Sequence, residues 1–279
     1  MRIRCVALDL DRTTLNKEGK LGQANQRALE ELIQKGICVV IASGRSFHTL
    51  PSDVMKIQGI QYAVTSNGAA VYRVTDRECI KRYTLKKEAV TAVMKSLEGE
   101  DVAYEAFLDG YAYADRTFIE DPVRYGTSLK GVEYIRKTRK ASQDIVKFIY
   151  ENANRLESMD VVVPDRNRKE YLWKKIQKSA PDVYITSSVE QLIELSDRQA
   201  GKHSGLRFVT GLLHIPPEEV AAFGDGDNDV DMLKFAGYGI AMENASEKCR
   251  QAANYITKHH DKDGVAYGLR EILKCLPSE

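Results

Sequence analysis

The chain alternates between two kinds of apolar pattern. Short continuous runs, Ile3 to Leu8 and Ile37 to Ala42, read as strands buried on both faces, the signature of a parallel sheet. Between them Gln23 to Lys35 carries Ala24, Ala28, Leu29, Leu32 and Ile33 at helical spacing, and Gly36 ends that helix. A third strand is expected at Tyr62 to Thr65, and a short helix is expected after Arg45. Beyond residue 200 the pattern resumes, with a helix over Lys202 to Leu213 and a strand over Val220 to Phe223. A helix over Val230 to Ala236 follows, then short strands at Gly239 to Met242 and Tyr255 to Thr257 with a helix between them. Strand and helix in alternation predict a doubly wound α/β fold with a parallel, Rossmann-like sheet.

The middle of the chain breaks this rhythm. It is richer in Tyr and Lys and has alternating stretches such as Val102 to Phe107. Strands are also expected at Ile145 to Tyr150 and Val183 to Thr186, and helices at Lys86 to Leu97 and Glu170 to Lys178. The expected organisation is a core of residues 1–81 and 191–279, with an α+β domain, 82–190, inserted into it.

Composition narrows the function classes. The chain has 279 residues, 43% hydrophobic and 29% charged, which suits a folded globular protein of one large or two modest domains. Lys plus Arg total 41 against 40 for Asp plus Glu, so no excess of basic charge points to nucleic acid. No run approaches the ~20 apolar residues of a membrane helix. Five cysteines without a Cys-x-x-Cys spacing, and no signal peptide before the first strand, lead us to expect a reducing, cytoplasmic location. The expected state is a monomer or small homo-oligomer.

Ligands of a parallel sheet bind beyond the carboxyl ends of its strands, and the chemistry-bearing residues cluster there. Strand one ends in Asp9 and Asp11, strand two in Ser43, and a later strand in Asp225 with Asn228 and Asp229 one turn on. Lys202 stands at a helix start just before that strand. Crowded carboxylates repel unless a hard cation lies among them, and Mg²⁺ prefers oxygen ligands. The Ser43 hydroxyl and Lys202 suit the oxygens of a phosphoryl group, and a carboxylate nucleophile suits phosphoryl transfer. Each residue alone has a plainer reading: Asp9 and Asp11 as a turn, Ser43 as a helix cap, Lys202 as a surface lysine. Asp225 to Asp229 is not a calcium loop, because Val230 and Ala236 occupy the places an EF-hand gives to Gly and Glu. His259-His260 reads as a polar loop.

Asp9-Leu10-Asp11-Arg12-Thr13-Thr14-Leu15, Ser43, Lys202 and Gly224-Asp225-Gly226-Asp227-Asn228-Asp229 together resemble, in order, the four motifs of the haloacid dehalogenase-like hydrolases. Ile41-Ala42-Ser43-Gly44-Arg45, Ser66-Asn67-Gly68-Ala69, Ala241 to Ala245 and Asp263-Gly264-Val265-Ala266 narrow the resemblance to the Cof-type sugar-phosphatase branch, whose insert is a C2B cap. The resemblance implies a Mg²⁺-dependent phosphatase acting on a small phosphorylated metabolite through an aspartyl-phosphate. It implies Asp9 as nucleophile and Asp11 as acid and base, with Asp9, Asp11 (through its carbonyl), Asp225 and Asp229 at the metal. Ser43, Gly44, Lys202 and Asn228 would meet the phosphoryl group, with Arg45 and Asn67 as candidates further along the substrate. Arg12 departs from the pattern, which has Gly there. A sugar phosphomutase is the alternative, and a non-catalytic ligand-binding relative a weaker one. A receiver-type signalling module is disfavoured by length and motif order.

Overall fold

The computed structural model describes residues 2–277, excluding the side chain of Lys130. Contacts divide it into two units, 1–45 with 50–81 and 201–279, and 46–49 with 82–200.

The first unit is built on an eight-stranded sheet. Its strands are β1 (Cys5–Leu8), β2 (Cys38–Ala42), β3 (Tyr62–Thr65), β4 (Ala70–Arg73) and β5 (Glu78–Arg82), joined late in the chain by β12 (Val220–Gly224), β13 (Tyr238–Ala241) and β14 (Tyr255–Ile256). Their order is β14-β13-β12-β1-β2-β3-β4-β5. From β14 to β3 every pairing is parallel, and β4 turns back antiparallel on β3. The apolar runs at β1, β2 and β12 are almost wholly buried, as strands covered on both faces must be. Because β1 lies between β12 and β2, the residues just past their carboxyl ends are neighbours in space although distant in sequence.

The second unit has six strands, β6 (Ala103–Leu108), β7 (Tyr111–Asp115), β8 (Arg139–Ser142), β9 (Ser158–Val162), β10 (Val183–Thr186) and β11 (Leu192–Asp197). Their order is β10-β11-β9-β6-β7-β8, antiparallel except for β7 with β8. Helices Lys87–Ser96, Ile145–Glu151 and Lys169–Ser179 contribute to the core on one face, with Tyr104, Ala106, Met159, Val161, Ile193 and Leu195. The second boundary falls at 200/201 rather than at 190, because β11 pairs with β9 and β10 and so belongs to this sheet. The short turn Ser46–Thr49 joins the same unit: His48 donates its backbone N–H to Gly110 O at 3.0 Å and stacks its ring on Tyr111 at 4.0 Å.

One expected strand is a helix. Ile145–Glu151 starts where the Asp144 carboxylate accepts the backbone N–H of Lys147 at 2.9 Å. The β-branched run suggested a strand, but its apolar anchors are Ile145, Phe148 and Ile149, at helical spacing, while Val146 and Tyr150 face out. A good cap and the packed face outweigh β propensity here.

Candidate functional site

The site grows from the loops that leave β1, β2, β3 and β12. Asp9 follows β1 directly, and its backbone N–H donates to Phe223 O of β12 at 3.1 Å. The next residues form a single irregular helical turn, Leu10–Thr14. Within it Arg12 takes φ 60° and ψ 14°, the left-handed conformation glycine adopts freely. The turn is therefore made with Arg12 in place, tied by Thr14 Oγ1 donating to Asp9 O at 2.6 Å.

Lys202 is the first residue of the helix Lys202–Leu212 and is only 1% exposed. Its Nζ donates to Asp9 Oδ1 at 2.6 Å and to Asp229 Oδ1 at 2.7 Å. The second oxygen of Asp229 accepts the backbone N–H groups of Asp225 and Gly226, both at 2.9 Å. Asp229 thus ties the lysine to the loop after β12. Oxygens of Asp9, Asp225 and Asp229 lie within 4.8 Å of one another.

The electrostatics follow from crowding. Burial, partly offset by Lys202 and reinforced by Asp229 and Asp11, pushes the Asp9 carboxyl up to about 7. Burial, Asp9 and Asp229 push Asp225 up to about 8, against the pull of Arg12 and Lys202. Burial works against the Lys202 charge, but Asp229 and Asp9 more than compensate and hold it above the usual lysine range. The protein alone therefore leaves this carboxylate group short of positive charge. A hard divalent cation with oxygen ligands fits that donor set, and Asp9 and Asp225 are the carboxylates best placed to hold one.

Asp11 stands apart from this buried group. Its carboxylate is exposed and held by Arg45, which donates from Nε to Oδ2 at 2.8 Å and from Nη2 to Oδ1 at 2.6 Å. Ser43 is buried, and its Oγ accepts the backbone N–H of Arg45 at 3.2 Å. Half-buried Gly44 lies between them. The loop after β3 runs alongside: Asn67 N donates to Ser43 O at 3.1 Å and Ser66 N to Arg45 O at 2.9 Å. Asn228 Nδ2 donates to Asn67 Oδ1 at 3.0 Å, which joins the loops after β12 and β3.

Three further residues, given no role by the sequence reading, gather around Asp225. Thr13 Oγ1 donates to Asp225 Oδ1 at 3.3 Å. Asn244 Nδ2 donates to Arg12 O at 2.9 Å and reaches Asp225 Oδ2 at 3.4 Å. The guanidinium of Arg12, itself half exposed, lies 3.5 Å from Asp225. Arg12 and Asn244 meet across 232 positions, a pairing that only the fold discloses. His259, His260 and Asp261 also bring ligand-type atoms within 4.8 Å of one another, but His260 Nδ1 is engaged with Leu15 O at 2.9 Å.

A family model described as haloacid dehalogenase-like hydrolase matches residues 6–269. Phosphatase YwpJ of Bacillus subtilis is 29% identical, over 97% of this chain and 100% of its own. The 5-amino-6-(5-phospho-D-ribitylamino)uracil phosphatase YwtE of the same organism is 26% identical, over 97% and 98%. Among solved structures, a haloacid dehalogenase-like hydrolase from B. subtilis superposes with a TM-score of 0.83 at 26% identity, covering 97% of this chain and 100% of that one.

Proposed function

Because this chain belongs to the haloacid dehalogenase-like hydrolases and is a phosphatase of the Cof type, we propose that it hydrolyses small phosphate esters, sugar phosphates or related metabolites, with Mg²⁺ as cofactor. The observation that carries this reading is Lys202 bridging Asp9 and Asp229 beside Asp225. It gathers a nucleophile, a fixed positive charge and a pair of cation-seeking carboxylates at one sheet edge.

In this reading Asp9 attacks phosphorus while the bond to the alcohol oxygen breaks, and Asp11 gives the departing oxygen its proton. Asp11 then takes a proton from water as that water attacks the phosphoryl group on Asp9 and the bond from phosphorus to the Asp9 oxygen breaks, which frees inorganic phosphate, restores the Asp9 carboxylate and leaves Asp11 protonated, as it began. Lys202 and Ser43 neutralise and orient the phosphoryl oxygens, with the backbone around Gly44 and the Asn228 amide beside them. Asp9, Asp225 and the Asp11 carbonyl would hold Mg²⁺, with Asp229 steadying it, and the bound ion would supply charge neutralisation for phosphoryl transfer.

The substrate panel should include para-nitrophenyl phosphate, hexose phosphates and 5-amino-6-(5-phospho-D-ribitylamino)uracil, the last for its place in the name of YwtE. Phosphate release should need Mg²⁺, stop with chelator, and vanish in Asp9→Asn. Undiminished release by Asp9→Asn would reject the mechanism, and an isomeric sugar phosphate without free phosphate would make the protein a mutase. We place the enzyme in the cytoplasm, since its five cysteines are all free thiols. No helix among the described residues is long and apolar enough to cross a membrane.

A further inference from the structure

Two of the five cysteine thiols meet within the sheet of the first unit. Cys5 on β1 pairs in register with Cys38 on β2, and the strands run parallel. Residues paired in this way point to the same face, and both side chains belong to one apolar cluster with Ala7 and Val40, the next residues along that face. Neighbouring strands lie ~4.8 Å apart. That spacing falls inside the ~4.4–6.8 Å between Cα atoms that a disulfide spans.

The pair is chemically uneven. A hydrogen bond between the two thiols holds Cys38 below the usual cysteine range, against the effect of its burial. The same bond, then burial and the nearness of Cys38, hold Cys5 well above that range. Cys5 is fully buried, whereas Cys38 is half-buried and lies just past the exposed turn at Lys35 and Gly36. The more accessible thiol is thus also the more acidic one, the combination that makes a cysteine a nucleophile. The other cysteines are engaged differently. Cys79 and Cys275 donate from Sγ to the backbone oxygens of Lys81 and Leu269, both at 3.3 Å. Burial, then Asp229, Asp225 and Asp9, raise the Cys249 thiol.

We propose that Cys5 and Cys38 form a disulfide by exchange with a low-molecular-weight disulfide, Cys38 reacting first. The Cys38 thiolate attacks one sulfur of the small disulfide, whose S–S bond breaks, and one half leaves as a thiol with the proton that Cys38 gave up. Cys38 then carries the other half as a mixed disulfide. Cys5 loses its proton and attacks the Cys38 sulfur, the bond from Cys38 to the small thiol breaks, and the second half departs with the Cys5 proton. Two protein thiols are oxidised, and one small disulfide is reduced to two thiols. The new bond joins β1 and β2 at the ends opposite Asp9 and Ser43.

The readout is thiol chemistry and does not depend on the phosphatase reading. Full-length protein, kept folded, is treated with oxidised glutathione, quenched with acid and mapped by peptide mass spectrometry. The disulfide between Cys5 and Cys38 should form roughly tenfold faster than any modification of Cys79, Cys249 or Cys275, and dithiothreitol should reverse it. Cys5→Ala should trap glutathione on Cys38 as a lasting mixed disulfide. Cys38→Ser should leave Cys5 unmodified over the same period. Low urea, short of the unfolding transition, should leave the rate unchanged, because Cys38 is reached in the folded protein. Cys5 and Cys38 remaining thiols while another cysteine reacts would overturn the proposal. So would a Cys5→Ala protein that takes up no glutathione at Cys38, or a rate that climbs with urea in step with unfolding.

Discussion

The guanidinium of Arg45 grips the carboxylate of Asp11 with two hydrogen bonds, at 2.8 and 2.6 Å, and Asp11 is the more exposed partner. The fork fixes the direction in which the proposed proton donor points. Arg45→Ala should therefore matter most where the leaving group needs a proton. We expect turnover of alkyl phosphates to fall about hundredfold, and turnover of para-nitrophenyl phosphate, whose leaving group needs no acid, to fall far less. Equal losses on both would show that Arg45 acts at the phosphoryl group rather than through Asp11.

Arg12 occupies a left-handed turn and puts its charge 3.5 Å from Asp225. Arg12→Gly removes both features. The backbone gain and the added freedom of the unfolded chain nearly cancel, so stability should change by less than about 1 kcal/mol. Loss of a half-exposed competing cation should lower the Mg²⁺ concentration for half-maximal activity about threefold, in keeping with the modest worth of screened ion pairs. An unchanged or weaker Mg²⁺ response would mean that Arg12 does not compete for Asp225.

Metal removal should make stability depend on pH in a definite direction. Asp9 and Asp225 are raised to about 7 and about 8, whereas in an unfolded chain they would titrate near ~4. Between those limits the folded protein holds protons that the unfolded chain has released. Their stabilising contribution is complete below ~4 and disappears as pH rises through about 8. Lys202, held above the lysine range, stays charged throughout this window. With chelator, the thermal midpoint should fall between pH ~5 and pH ~8.5, and Mg²⁺ should restore it most at the higher value. A midpoint that rises with pH in chelator would contradict the electrostatics of the site.

Lys202 is the buried cation common to Asp9 and Asp229. Lys202→Met should abolish phosphate release and destabilise the chelated protein by about 3–5 kcal/mol, because two buried carboxylates lose their counter-charge. Adding Asp9→Asn should recover part of that stability but none of the activity. Urea titration of both variants checks this, and a double variant no more stable than the single one would refute the shared-charge account.

Much of this was legible from residue order, and the limits have physical causes. The strands of the first unit announce themselves because burial on both faces leaves unbroken apolar runs, and their polar terminators mark the edge where Asp9, Ser43 and Asp225 gather. The inserted unit is harder to read, because its sheet packs apolar residues on both faces, Tyr104, Met159 and Val161 into one cluster and Ala103, Ala114 and Val162 into another, which interrupts the alternation a half-buried strand would show. The run Ile145 to Tyr150 shows why: its helix depends on the Asp144 cap and on which residues find the core. The grip of Arg45 on Asp11, the link from Asn244 to Arg12 and the register of Cys5 with Cys38 are products of topology, without a local pattern to reveal them.

Gly68 shows how closely two backbones meet behind Lys202. Its φ is +90°, and a Cβ there would lie 2.0 Å from the carbonyl oxygen of Gly201, the residue that leads directly into Lys202. Neither neighbour is a side chain that could swing aside. Gly68→Ala should therefore push Gly201 away and carry the Lys202 ammonium off Asp9, with turnover falling about hundredfold for a displacement of about 1 Å. The strain and the forced contact should also lower stability by more than about 3 kcal/mol. Gly36 provides the control: it too has positive φ, but a Cβ there meets nothing within 4 Å. Gly36→Ala should lose only about 1 kcal/mol, the backbone penalty alone, and keep full turnover. If the two variants lose stability and turnover equally, the contact between Gly68 and Gly201 does not set the position of Lys202.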